Sequence, residues 1–200
     1  MVSRCCGKGE ETFFLLRKEP GLSNSITIRQ EREQDFGQVR EVVRQAFRDV
    51  AESDHTEHLL VERLCAGATY VPELSLVAET EDGQIVGHIL LTEVEVVSAG
   101  QVFTALALAP LSVSPAFQGR GIGSRLIREA HARAAALGYG LVVVLGHAGY
   151  YPRFGYRRAS LYGIDFPFDA PDGCRMVAEL TEGGLEGVHG MVRYPDAFLV

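Results

Sequence analysis

A glycine-rich turn between an apolar strand and an amphipathic helix narrows the possible folds of this chain more than any other segment. The run QGRGIGS, residues 118–124, follows TALALAPLSV and precedes IREAHARAAAL, which has helical spacing. The uninterrupted apolar run at 141–146 is typical of a central strand covered on both faces. Strand, turn, helix and strand in this order predict a βαβ unit with parallel strands.

The segments before this unit predict one further strand and two helices. Residues 26–30 alternate as a short strand, and residues 36–47 place apolar side chains at helical spacing. A second helix is predicted within residues 53–64, with Asp54 as its N-cap and Glu57 in the capping-box position.

A hairpin and a late strand complete the prediction. Two apolar runs flank the sequence TEDG, where Asp82 and Gly83 are expected to supply the positive φ angles of a hairpin turn. Gly138 is the predicted stop of the long helix, and residues 175–180 read as a strand. Together these elements indicate an α/β fold with a mixed sheet.

Pro110 interrupts the most apolar strand, Phe103–Val113. Proline cannot donate to a sheet ladder, so its presence in an interior strand predicts a bulge or a local parting from the neighbouring strand. A parting here would leave N–H and C=O groups of Leu111, Ser112 and Val113 unpaired.

Length and charge limit the organisation and the partners. With 200 residues, 46% of them hydrophobic, the chain is expected to form one domain over residues 25–200, preceded by a loose arm at 1–24. Nineteen Lys and Arg against 26 acidic residues give a net charge of −7, which argues against nucleic acid binding and favours a cationic acceptor.

Cysteine usage and hydropathy indicate a cytoplasmic protein. Cys5, Cys6, Cys65 and Cys174 have no CxxC spacing and are predicted to be reduced thiols. The apolar island TFFLL is too short for a signal-peptide core, and no run approaches the ~20 apolar residues of a membrane helix. We therefore expect no membrane association.

Two common phosphate-binding motifs do not fit the turn. A dinucleotide fingerprint requires a third glycine where Ser124 stands, and an acidic residue where the next strand ends in LGH. A Walker loop requires GxxxxGK followed by Ser or Thr, and the sequence contains no such run.

The pattern Gln118-x-x-Gly121-x-Gly123 after LSVSP instead resembles the acyl-CoA motif of the GNAT superfamily of N-acetyltransferases. In YYPRFGY, Tyr151 stands four residues before the pair Gly155-Tyr156, matching a tyrosine of that family. The chain looks like the YhbS-like branch of these enzymes from Ile26 to Phe198, most strongly over residues 106–160.

The resemblance implies a GNAT fold with splayed central strands, acetyl-CoA as co-substrate and no metal. The pyrophosphate of CoA would meet backbone N–H groups at the helix N-terminus, and the pantetheine would pair with the parted strand. The residues that this assigns to the cofactor are Leu111, Ser112, Val113, Gln118, Gly119, Arg120, Gly121, Ile122, Gly123 and Ser124.

The resemblance also implies direct acetyl transfer to an amine of a small molecule or a protein. The Val113 N–H is the predicted group that polarises the thioester carbonyl, and Tyr151 is the predicted acid that protonates the departing thiolate. Two alternatives stay open: Tyr151 packs against the helix and has no catalytic role, or the neighbouring Tyr150 is the proton donor. No base is assigned, since the apolar strand contains no acid; the candidates are Asp54, His55, Glu93, Glu95 and His147.

Several alternatives stay open at this point. A non-catalytic acyl-CoA-binding regulator and an enzyme for a longer acyl chain, admitted beside Ala107–Ala109, fit the same motif. The sequence HTEH at 55–58 is one residue too short for a zinc-binding HxxEH motif, so no metal is predicted. A monomer and a homodimer are both compatible with the sequence.

Overall fold

Three helices and nine strands make up the part of the chain that the computed structural model describes, residues 25–50 and 53–198. The predicted arm at 1–24, with Cys5 and Cys6, lies outside these residues. In chain order the elements are β1 (Ile26–Gln30), α1 (Phe36–Phe47), α2 (Glu57–Cys65), β2 (Tyr70–Thr80), β3 (Ile85–Ser98), β4 (Gln101–Val113), α3 (Ile122–Ala136), β5 (Leu141–Leu145), β6 (Arg157–Arg158), β7 (Ile164–Asp165), β8 (Arg175–Glu179) and β9 (Gly190–Arg193).

The strands form one mixed sheet with the order β1-β2-β3-β4-β5-β8-β6, and β9 pairs with both β3 and β7. The β4–β5 pair is parallel, with α3 as its crossover, and the β7–β9 pair is also parallel. The remaining pairs are antiparallel. The predicted βαβ unit and the mixed α/β fold are therefore confirmed.

Helix α3 covers one face of the sheet because its apolar residues recur at helical spacing. Leu126, Ile127 and Ala130 are fully buried against β-strand side chains such as Leu106 and Val142. Burying a leucine side chain contributes about 1.5–3 kcal/mol. Helices α1 and α2 pack together through a separate cluster of valines and leave an opening beside β4 and β5.

The predicted cap of α2 is wrong. The helix begins after Thr56, which is its N-cap, and not after Asp54. The Asp54 carboxylate accepts hydrogen bonds from the Thr56 backbone N–H (2.9 Å) and hydroxyl (2.7 Å). This local turn places the intervening His55 at a φ of 64°, so the chain enters the helix two residues later than its sequence suggests.

The hairpin is confirmed, but only Gly83 of its turn has a positive φ, of 82°. The Thr80 N–H donates to the Gln84 carbonyl at 2.9 Å, which closes a loop of three residues. A three-residue loop needs one left-handed residue instead of two, so Asp82 stays in an ordinary conformation.

Two cysteines lie in the described residues, and both are free thiols. Burial raises the pKa of the Cys65 thiol to about 11, which suppresses the reactive thiolate. No helix within residues 25–50 and 53–198 is long and apolar enough to cross a membrane.

His131 on α3 links the stability of the fold to pH. Its Nε2 lies 3.0 Å from the Tyr156 hydroxyl, and burial lowers the pKa of His131 from 6.5 to about 4. Between these values the unfolded chain binds a proton that the folded chain does not, so acidification lowers the free energy of unfolding by up to about 3 kcal/mol. We expect His131→Gln to flatten this loss in denaturant titrations between pH 6.5 and 4.

The matched control is His189→Gln. His189 is exposed, and its Nδ1 lies 2.9 Å from the carbonyl of Gly187, two residues earlier. The free energy of unfolding of this variant should therefore depend on pH as it does in the wild type. Parallel profiles for the wild type and the His131 variant would contradict the assignment.

Candidate active site

The strands β4 and β5 separate after two paired positions and open a cleft. Their ladder consists of Leu106 with Val142 and Ala107 with Val143. Beyond this point β4 continues along β3, and β5 continues along β8. The cleft between the parted strands has a volume of about 930 Å³.

A bulge at Pro110 accompanies the separation. On β3, Ile89 pairs with Leu111 and Leu91 pairs with Leu108, so β4 carries one residue more than its partner at this point. An extra residue bends its strand and increases the local twist. The predicted parting is confirmed, and Pro110 itself lines the cleft.

The phase of the ladder decides which backbone groups face the opening. The Ser114 N–H donates to the Val86 carbonyl of β3 at 2.9 Å. Ser112 lies two residues earlier and pairs with His88, so its backbone N–H and C=O also point toward β3. Because groups alternate along a strand, the N–H groups of Leu111 and Val113 point away from β3. The expectation that Ser112 has unpaired backbone groups is therefore wrong.

Leu111 and Val113 differ in their position along the cleft. Leu111 lines it directly, beside Pro110, whereas Val113 lies further toward the glycine turn. The Val113 carbonyl accepts a hydrogen bond of 3.0 Å from the Gln118 side chain. Gln118 thus fastens the turn to the end of β4.

The glycine turn opens α3 with its backbone exposed. Gly119 and Gly121 have φ values of 73° and 77°, which side chains with a Cβ rarely adopt, and the space above each is open. The first N–H groups of the helix lack intrahelical partners; Arg125, which donates to Gly121, is the first that finds one. Free N–H groups and the positive end of the helix dipole meet here, as an anion site requires.

Gly123 is required for a different reason. A Cβ at this position would lie 2.9 Å from the Tyr150 hydroxyl and in contact with Leu111 and Val113. The third glycine therefore makes room for a tyrosine and not for a ligand.

The other predicted cofactor residues divide by exposure. The Ile122 side chain is buried in the core, which leaves its backbone as the group available to a ligand, and Ser124 is half-buried. Arg120 lies over the Phe117 ring and donates to Ala116. Its exposed guanidinium sits beside the free N–H groups.

Both tyrosines of YYPRFGY line the cleft. The rings of Tyr150 and Tyr151 contact edge to face, with centroids 5.3 Å apart. Tyr151 also packs over Gly146, where a Cβ would meet its ring at 2.3 Å, and against Tyr156. Burial, with a smaller effect from Tyr150, raises the pKa of Tyr151, so its hydroxyl is protonated at neutral pH.

Two of the predicted base candidates are held outside the cleft. Glu93 accepts a hydrogen bond of 2.5 Å from the Tyr139 hydroxyl, and Glu95 forms an ion pair with Arg193. Neither lines the cleft.

Of the other three candidates, His147 lines the cleft, whereas Asp54 and His55 do not. His147 lines the cleft at the end of β5, as its position after a parallel strand suggests. Asp54 is occupied by Thr56, and the His55 Nδ1 lies 3.0 Å from the Phe47 carbonyl. No cluster of three His, Cys, Asp or Glu side chains in the described residues could hold a metal ion.

Glu57 is the functional candidate that the sequence pattern concealed. It is the first residue of α2 and lines the cleft, with one carboxylate oxygen accepting from Ser53. The other oxygen, Oε2, is buried without a hydrogen-bond partner among residues 25–50 and 53–198. In the sequence, the capping-box spacing explains Glu57 as a residue that stabilises the start of a helix. No further signal marked it as a residue of the cleft.

Aromatic side chains form the wall beyond Glu57. The Phe168 and Tyr194 rings lie 4.9 Å apart, and the Tyr194 and Phe198 rings lie 4.8 Å apart. Burial raises the pKa of Tyr194, which keeps this ring neutral. Phe47, at the end of α1, completes the wall.

Comparison with known proteins places this geometry among acetyltransferases. Residues 27–159 match the model of the acetyltransferase (GNAT) domain family. The chain is 39% identical over 153 residues to the uncharacterized N-acetyltransferase YjhQ of Escherichia coli K12, covering 74% of this chain and 80% of that protein. It is 30% identical over 125 residues to the uncharacterized N-acetyltransferase YhbS of the same strain, covering 62% and 74%.

Two solved structures share the fold. The Escherichia coli YhbS structure in complex with CoA has a TM-score of 0.80 and 28% identity, covering 91% of this chain and 95% of that one. A GNAT family acetyltransferase from Brucella melitensis in complex with acetyl-CoA has a TM-score of 0.71 and 35% identity, covering 87% and 98%.

Proposed function

Because this chain belongs to the GNAT family of acetyltransferases, we propose that it transfers the acetyl group of acetyl-CoA directly to a primary amine. The observation that carries the proposal is the cleft between β4 and β5, where a free backbone edge and a tyrosine pair lie beside the N-terminus of α3. The CoA and acetyl-CoA complexes of the Escherichia coli and Brucella relatives support the same co-substrate.

The cofactor would lie along the turn and the edge of β4. Its pyrophosphate would accept hydrogen bonds from the N–H groups of residues 119–124, with Arg120 supplying a cation. Its pantetheine would accept hydrogen bonds from the backbone N–H groups of Leu111 and Val113, like an added strand. Gln118 would hold the two parts of this surface together through its bond to Val113.

The reaction needs a polarised carbonyl and a proton for the leaving thiolate. Leu111 lines the cleft and its N–H points away from β3, so we assign the polarisation of the thioester carbonyl to the Leu111 N–H instead of the Val113 N–H predicted for that role. The acceptor amine, after its ammonium form has lost a proton to solvent, attacks the thioester carbonyl and forms the new C–N bond. The amine then releases a second proton to solvent, the C–S bond breaks, and Tyr151 donates a proton to the CoA sulfur and regains one from solvent.

The proposal is tested first by ligand binding and then by turnover. Thermal unfolding is followed with acetyl-CoA, CoA, NADH and ATP, since a ligand at 100 times its Kd adds ~2.7 kcal/mol to stability. Release of CoA thiol is then measured with amines. Stabilisation by CoA compounds with amine-dependent thiol release is the expected result; stabilisation without turnover would identify a binding module instead.

Gly121→Val should weaken CoA binding roughly tenfold or more, because a β-branched residue abandons the left-handed φ and redirects the N–H groups of the turn. The control is Gly138→Val, since Gly138 has a φ of 91° at the opposite end of α3. Calorimetry should find normal CoA affinity in the control. Equal losses in both variants would mean that backbone strain, and not the turn itself, explains the effect.

Tyr151→Phe should lower kcat roughly ten- to a hundredfold while the KM for acetyl-CoA stays constant, because only the proton donor is lost. Tyr150→Phe is the matched control, with the neighbouring ring and the same deleted atom. Steady-state thiol release distinguishes the two. A large loss in the Tyr150 variant alone would transfer the acid role to Tyr150.

A further inference from the structure

We propose that Glu57 binds the amino group of the acceptor, and that the acceptor is a primary amine with one positive charge on an aromatic or otherwise apolar body. This inference rests on the proposed acetyl transfer and extends it to the class of substrate. It follows from the position of one carboxylate, the composition of the cleft lining and the charge of the cleft.

Glu57 lines the cleft, and its carboxylate has hydrogen-bonding capacity left over. Ser53 occupies Oε1, and Oε2 is buried without a partner in the described residues. A buried polar atom without a hydrogen bond is costly, so such atoms indicate a missing ligand group. An ammonium or amine N–H supplies the complementary donor.

The wall around this carboxylate selects for an apolar body. Phe47, Phe168, Tyr194 and Phe198 line the same cleft as Glu57. Aromatic faces bind apolar groups by burial and attract a cation through the ring quadrupole. The Arg63 guanidinium donates to the Ala197 carbonyl at 3.1 Å, which fixes the turn carrying Phe198 to the helix carrying Glu57.

The charge of the cleft sets the number of cationic groups. Of the described residues lining it, Glu57 is the sole acidic one, and none is Lys or Arg. One carboxylate compensates one ammonium, whereas each further cation of a polyamine would be desolvated against aromatic carbon. The net charge of the chain favours cationic acceptors in general. The single carboxylate among the described lining residues favours acceptors with one ammonium group, the monoamines.

The inference is tested with three amines and the full chain. Calorimetry of the CoA-saturated protein measures the binding of 2-phenylethylamine, spermidine and ethanolamine, and thiol release from acetyl-CoA measures their kcat/KM. We expect 2-phenylethylamine to exceed the other two by roughly tenfold or more in both measurements, from burial of its ring. Glu57→Gln should weaken its binding roughly thirtyfold or more without changing CoA affinity.

The matched control is Glu62→Gln on the same helix, where an exposed carboxylate pairs with Arg40 outside the cleft at 2.9 Å. It should leave both affinities unchanged. Failure of CoA to bind would overturn the proposed function itself. Normal CoA binding with a preference for spermidine, or with equal amine affinity in the wild type and Glu57→Gln, would overturn this inference alone.

Discussion

Two residue pairs hold β4 against β5, and the cleft exists because the ladder ends there. Each strand is fixed on its other side, β4 by β3 and β5 by five pairs with β8, so the separation leaves the sheet intact. An unpaired buried N–H costs about 1–3 kcal/mol. The parted edge of β4 therefore favours a ligand that supplies backbone-like acceptors.

The glycine turn and the tyrosine pair depend on one another. Gly123 is small enough for the Tyr150 hydroxyl to lie against the first turn of α3, and Tyr150 in turn supports the Tyr151 ring over Gly146. A displacement of the helix N-terminus would therefore move the tyrosines as well. The three glycines serve two purposes, since the first two set the backbone and the third admits a side chain.

Local sequence rules predicted the βαβ unit and the parting at Pro110, because each depends on neighbouring residues: a missing N–H, left-handed glycines and a helical stripe. They did not predict that the backbone N–H and C=O of Ser112 point toward β3, since this depends on how the bulge shifts the pairing of β4 with β3. Glu57 was also missed. Its role depends on aromatic residues more than 100 positions later in the chain, which only the folded sheet brings beside α2.

The net charge of the chain, −7, does not predict the local charge at the glycine turn or at Glu57. At the turn, free N–H groups, the dipole of α3 and Arg120 create a site for anions within a negatively charged protein. At the other end, Glu57 stands beside aromatic rings without a neighbouring cation among the described lining residues. In the proposed reaction, opposite local charges at the two ends would orient an anionic cofactor and a cationic acceptor toward each other, with the parted strand and Tyr151 between them. Because local fields act at short range, their arrangement, and not the net charge, would decide which partner enters from each end.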